Sequence, residues 1–163
     1  MARVDSRLPT LLRAVHSRIS DQVLGANDSL VIISDDPDST PPMPGDVWWV
    51  VSPAPSGQFT ENFGGGSVES AEVQTAFIVT VHSIIQQDEP GRGEEMFLDP
   101  NFGIFEKMSP VLEALSGHDL LDPDGNQILS QPIFPADYQW HRNSRTHSSV
   151  QMGFTVVFVL EYT

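Results

Sequence analysis

Five histidines, many carboxylates and many serines are the residues here that could do chemistry, and their spacing decides whether they do. His16, His82, His118, His141 and His147 are scattered, and only the last two are near each other. Their separation of six does not put both on one helix face, and no carboxylate pair accompanies them as a metal centre would need. Ser116-Gly117-His118-Asp119 collects the letters of a catalytic triad within four residues. Working triads converge from distant parts of a fold, so this run reads as a helix end. No serine stands in a G-x-S-x-G elbow. The acid pairs Asp35-Asp36 and Glu94-Glu95 lie in polar stretches, where water keeps carboxylates ordinary. Asp122-Pro-Asp-Gly-Asn126 has the look of a calcium loop. With Gly125 at the sixth position, Leu120 would be the first ligand and Gln131 the last; both fail, leaving a tight turn. The triplet Gly64 to Gly66 lacks the lysine and hydroxyl of a phosphate loop. With no cysteine there is no thiolate ligand, disulfide or cysteine nucleophile. No catalytic residue, cofactor or metal is expected.

Charge narrows the partners. Asp plus Glu number 22 against 8 Lys plus Arg, a formal net of −14. Specific nucleic-acid binding relies on basic patches that displace counterions, so it is not expected; an acidic surface would instead repel a polyanion passing close by. Arg3, Arg7, Arg13 and Arg18 make up half of the basic residues and sit in the first 18 positions. They read as a solvated helix face or as a basic edge for an acidic neighbour. No run approaches the roughly 18 apolar residues of a membrane span, and MARVDSRLPT lacks a signal-peptide core.

The elements that position these residues follow from periodicity. Val150, Met152, Phe154, Val156, Phe158, Leu160 and Tyr162 recur at every second position, which predicts a long strand. Its alternates run from Gln151, Gly153 and Thr155 to Val157 and Val159, so the far half is expected covered on both sides and the near half wet on one. A second alternating strand spans Glu69 to Ile85, carrying His82 as a satisfied histidine rather than a ligand. Leu8, Leu11, Leu12, Val15, Ile19 and Val23 predict an amphipathic helix, capped by Ser6 or Asp5 and ended by Gly25. A second helix is expected from about Pro100 to Leu115, broken near Lys107 to Ser109 by Pro110. Short strands are read at Leu30 to Ile33, Asp46 to Ser52 and Ile128 to Ser130. Asp35–Gly45, Pro53–Ser67 and Gln86–Glu95 are read as loops, and Pro132–Ser149 as an aromatic and arginine cluster suited to protein contacts. At 163 residues this makes one domain, 1–163, with long loops at about 35–45 and 53–68. The fold class is α+β, an antiparallel or mixed sheet with two main helices packed on one face. The long strands exceed the usual length, so either Gly153 bulges or another chain completes the sheet.

The order of these features resembles the tail-terminator (tail-completion) proteins of long-tailed bacteriophages. The likeness rests on the helix Leu8 to Val23 and on the strand Val73 to Ile85 running into Gln-Asp-Glu-Pro-Gly-Arg-Gly. Glu113 to His118 (Glu-Ala-Leu-Ser-Gly-His), the Asp-Gly turn and the alternating last strand complete it. The resemblance implies a structural virion protein assembled in the host cytoplasm. It would form a hexameric ring that caps the tail tube, stops its polymerisation and meets the head connector or neck, with DNA passing through the lumen without specific binding. The inserts Asp35–Gly45 and Pro53–Ser67 depart from the pattern. Phe59, Phe63, Trp49, Arg13, Arg18, Tyr138 and Trp140 are the candidate subunit-interface residues. The alternatives are another head–tail connector or neck protein and, from a different class, a small-ligand-binding domain or enzyme with a pocket shared by Trp48, Trp49 and Trp140.

Overall fold

The computed structural model describes residues 7–64, 67–84, 99 and 103–161. Helix α1 (Leu8–Gln22) buries Leu11, Val15 and Ile19 as one stripe, with Pro9 in the first turn. Its capping position is Arg7, in the left-handed conformation without a side-chain cap; the expected caps Asp5 and Ser6 lie outside the described residues. The strands are β1 (Val31–Ile33), β2 (Val47–Pro53), β3 (Gln58–Gly64), β4 (Ser67–Ile84), β5 (Phe134–Arg142) and β6 (His147–Glu161). They form one mixed sheet in the order β1-β2-β4-β6-β5, with β3 also paired to β4. Among the described residues only β1 and β2 pair in parallel.

The centre of the sheet is the β4–β6 ladder. Fifteen positions pair without a register shift, from Ser70 with Glu161 to Ile84 with His147. Val73, Phe77, Val79 and Val81 of β4 face the same side as Val150, Met152, Phe154, Val156 and Phe158 of β6, and all are buried. Phe77 and Phe154 stack with centroids 5.2 Å apart. Helices α1 and α2 (Met108–Leu115) cover this inner face, as an α+β arrangement requires. A 3₁₀ turn, Phe105–Lys107, leads into α2. The expected break is there, and its cause is positional: Pro110 occupies the first turn of α2, where a missing N–H interrupts no helical bond. Residues 100–102 of the expected second helix and the Gln86–Glu95 loop lie outside the described residues.

Several expectations are corrected. Pro53–Ser67 is not all loop: β3 pairs with Gln74 back to Ser67 of β4, using the half of that edge which β2 leaves free. The connection from β2 crosses so near β4 that a Cβ on Gly57 would meet the Gln74 carbonyl at 2.9 Å. Strand β5 occupies much of the aromatic cluster. Ile128 to Ser130 forms no strand; Ile128 and Leu129 are buried, and Ser130 donates its N–H to the Val157 carbonyl. Gly153 does not bulge against β4. The irregularity is in β5, between Pro135 and Asp137, where the Asp137 carboxylate occupies the space a Cβ on Gly153 would need.

The division of β6 is weaker than expected. Thr155 in the near half is exposed, as expected, but Gln151 and Gly153 are half-buried. So are Val157 and Val159 of the far half, while Ser149 at the start of the strand is fully buried. Alternation alone could not show that residues 34–45 fold back over that end, hydrogen bonding Trp48 and His82 beside it.

Candidate functional site

Strand β5 pairs with β6 and with no other strand among the described residues, which leaves its second edge open. Eight of its nine residues are exposed. Natural edge strands are usually blunted by bulges, prolines and charges, because bare N–H and C=O groups invite another strand. Here the bulge and Pro135 blunt one end. Beyond them the strand presents large rings: Phe134 is 68% exposed, Tyr138 62% and Trp140 37%. Register places Tyr138 and Trp140 on the helix side, opposite Met152 and Val150, and Phe134 on the outer side, opposite Thr155. Both faces of this edge therefore carry aromatic surface.

At the other flank of the sheet, β3 presents a second aromatic. Phe59 pairs with Val73 on the helix side and is 70% exposed. It lines a groove of about 200 Å³ with Leu8 and Leu12 of α1 and the Pro53 to Gly57 connection. Side chains near this edge include Glu61 and Glu72, whereas β5 carries both Asp137 and Arg142. Apolar surface thus lies at two different edges of one sheet.

The other expected interface residues scatter. Trp49 is 2% exposed and belongs to the core, so its burial removes it from any surface of this fold. Arg18 donates from Nε to the Ala114 carbonyl in the last turn of α2, tying the helices together. Arg13 is exposed on α1, lining a groove with Thr10, Ala14, Ser17, Leu121, Asp122 and Pro123. Arg7 pairs with Asp122 at 3.7 Å. Phe63 is in β3, but its side chain lies outside the described residues. Phe134 belongs to the same aromatic cluster and is exposed too, though it is not among the candidate interface residues; Pro135 interrupts the alternation that marks a strand there.

Among the described residues the expected shared tryptophan pocket does not form. Trp48 and Trp49 are on opposite faces and Trp140 is on the edge strand, so the three share no pocket. Among the described residues there is no group of three or more His, Cys, Asp or Glu that could hold a metal. The Asp122 turn closes on itself, the Asp122 carboxylate accepting from the N–H groups of Asp124 and Asn126.

One titratable pair does form. Trp48 stacks on His82 with centroids 4.8 Å apart, and His147 leans on both rings. His82 Nδ1 lies 2.9 Å from His147 Nε2, and His82 Nε2 donates to the Pro37 carbonyl at 2.7 Å. His82 is thus a satisfied histidine, with its face fully covered at this end. Burial pushes the pKa of His82 below its ordinary 6.5, against the Pro37 hydrogen bond and the carboxylates of Asp38 and Asp36. Burial and then the neighbouring His82 do the same to His147.

Comparison with models of known protein families and with curated proteins returned no match. Among the described residues no helix is long and apolar enough to cross a membrane.

Proposed function

We propose that this chain is a structural subunit of a closed homo-oligomeric ring, acting as a tail terminator of a long-tailed bacteriophage. The observation that carries the assembly is the open, aromatic edge of β5, paired in kind with the Phe59 groove on a different edge. Two unlike surfaces that fit each other give head-to-tail contacts, which close into a ring when the rotation allows. The long β4–β6 ladder is buried on its inner face by this chain alone, so the sites left for a second copy are the outer edges. The phage assignment rests on the sequence resemblance, which supplies the hexamer, the tail tube and the head connector as partners. A net charge of −14 suits a lumen through which DNA slides without sticking.

The test is mass measurement of the purified protein, alone and with tail-tube subunits. A discrete six-copy species that stops tube growth is expected. A monomer at every concentration that leaves tube length unlimited overturns the reading. A ring that binds a portal or adaptor but ignores the tube assigns it to the connector instead.

A further inference from the structure

The outer face of the sheet at the β2–β4–β6 end is covered by the chain's own residues 34–45. The cover is held by ring nitrogens. Trp48 Nε1 donates to the Ser39 carbonyl at 3.1 Å, and His82 Nε2 donates to the Pro37 carbonyl. Inside the segment, Ser34 and Ser39 hydroxyls bond at 2.6 Å and Asp36 takes the Asp38 N–H. Pro41 is buried beneath the fold of the segment.

The contact between His82 and His147, which joins β4 to β6 rather than to the segment, sets a proton condition. With Nε2–H given to Pro37, His82 must accept at Nδ1, so His147 donates from Nε2. One added proton fits, on His147 Nδ1, without breaking that bond. A second, on His82 Nδ1, would point two N–H groups at each other across 2.9 Å. We propose that His82, His147 and Trp48 form a proton-sensitive latch that holds residues 34–45 over the outer face and releases them when both imidazoles are charged. Among the described residues the titratable groups acting on the pair include Asp36 and Asp38 from the segment and His141 from β5, with the neutral Trp48 ring of β2 packed against it. Burial, the larger effect, opposes charge on either ring, and the carboxylates favour it. Release bares Trp48 and His82, both of them buried in the closed state.

Amide hydrogen exchange of residues 34–45, corrected for the chemical rate and compared between about pH 7.5 and pH 5, tests the latch. The wild type should lose protection in this segment by about tenfold or more, the factor for one pKa unit of differential protonation, while β4 and β6 stay protected. His147→Gln keeps a donor for His82 and gains no proton, so it should lose that pH dependence. Equal behaviour of the two proteins, or an unchanged wild-type segment, overturns the proposal. Should His147→Gln fail to fold, titration of the wild-type rings by NMR decides. Both rings charging while the segment's amides stay protected would refute the latch.

Discussion

Replacing Phe134 and Tyr138 together by threonine should weaken assembly while leaving the subunit folded. The two rings expose 68% and 62% of their surface. At about 200 Å² per aromatic side chain, the pair offers roughly 250 Å² to a neighbour. Complete burial would be worth about 6 kcal/mol per contact at 25 cal/mol per Å². Association returns only part of that, since ordering and desolvation oppose it. A quarter realised is about 1.5 kcal/mol, a tenfold rise in the dissociation constant. Threonine keeps strand propensity, and Thr155 can still donate to the Phe134 carbonyl, so β5 should stay paired. Exposed positions such as these shift stability by about 0.5 kcal/mol or less. Sedimentation velocity across a concentration series, with circular dichroism as the fold control, reads both effects. A wild type that stays monomeric to about 100 μM, or a double variant that assembles with the wild-type midpoint, would sink the edge hypothesis.

Other consequences concern the sheet itself. Phe154→Ala removes a fully buried ring from its stack on Phe77 and should cost about 3–5 kcal/mol, lowering Tm by roughly 8–16 °C in calorimetry. Gly153→Ala meets only the far end of the exposed Asp137 side chain, which can turn away, so it should cost about 0.5 kcal/mol or less. A urea midpoint that reports a loss above about 1 kcal/mol would refute this. The histidine pair also makes stability depend on pH. Both folded-state pKa values are lowered, so below the ordinary 6.5 the unfolded chain binds more protons than the native one. The stability contribution of the neutral pair is therefore complete above about pH 6.5 and is lost as pH falls from there through the folded pKa values. Urea midpoints of wild type that do not drop more steeply below pH 6.5 than those of His147→Gln would contradict this.

How much of this was legible depended on where each strand sits. β4 and β6 were readable because burial on the inner face imposes period two over long runs, Val73 to Val81 and Val150 to Leu160. Helix α1 was readable for the same reason at helical spacing. β3 and β5 were not, because an edge strand is held by backbone pairing to a partner already in place and needs no buried alternation. QFTENFG and FPADYQWHR carry little of it. The candidate interface divided along that line. Tyr138, Trp140 and Phe59 are rings in segments without a core role, and they are on the edges. Trp49 belongs to a strand apolar on both faces, and there the fold itself supplies the cover, helices on one side and residues 34–45 on the other. The histidine pair was invisible because its members are 65 positions apart.

The same division explains why recognition should fall on β3 and β5. Each pairs through a register shift, at Asn62/Phe63 and at Pro135/Asp137, while the β4–β6 ladder between them has none. Bulges re-aim side chains and end pairing locally without disturbing the strands that hold the core. Changes at the edges can thus alter which neighbour fits while the buried Phe77–Phe154 stack stays as it is. A chain that met copies of itself on two sides, as proposed above, would draw on that arrangement, a rigid central ribbon with separately adjustable margins.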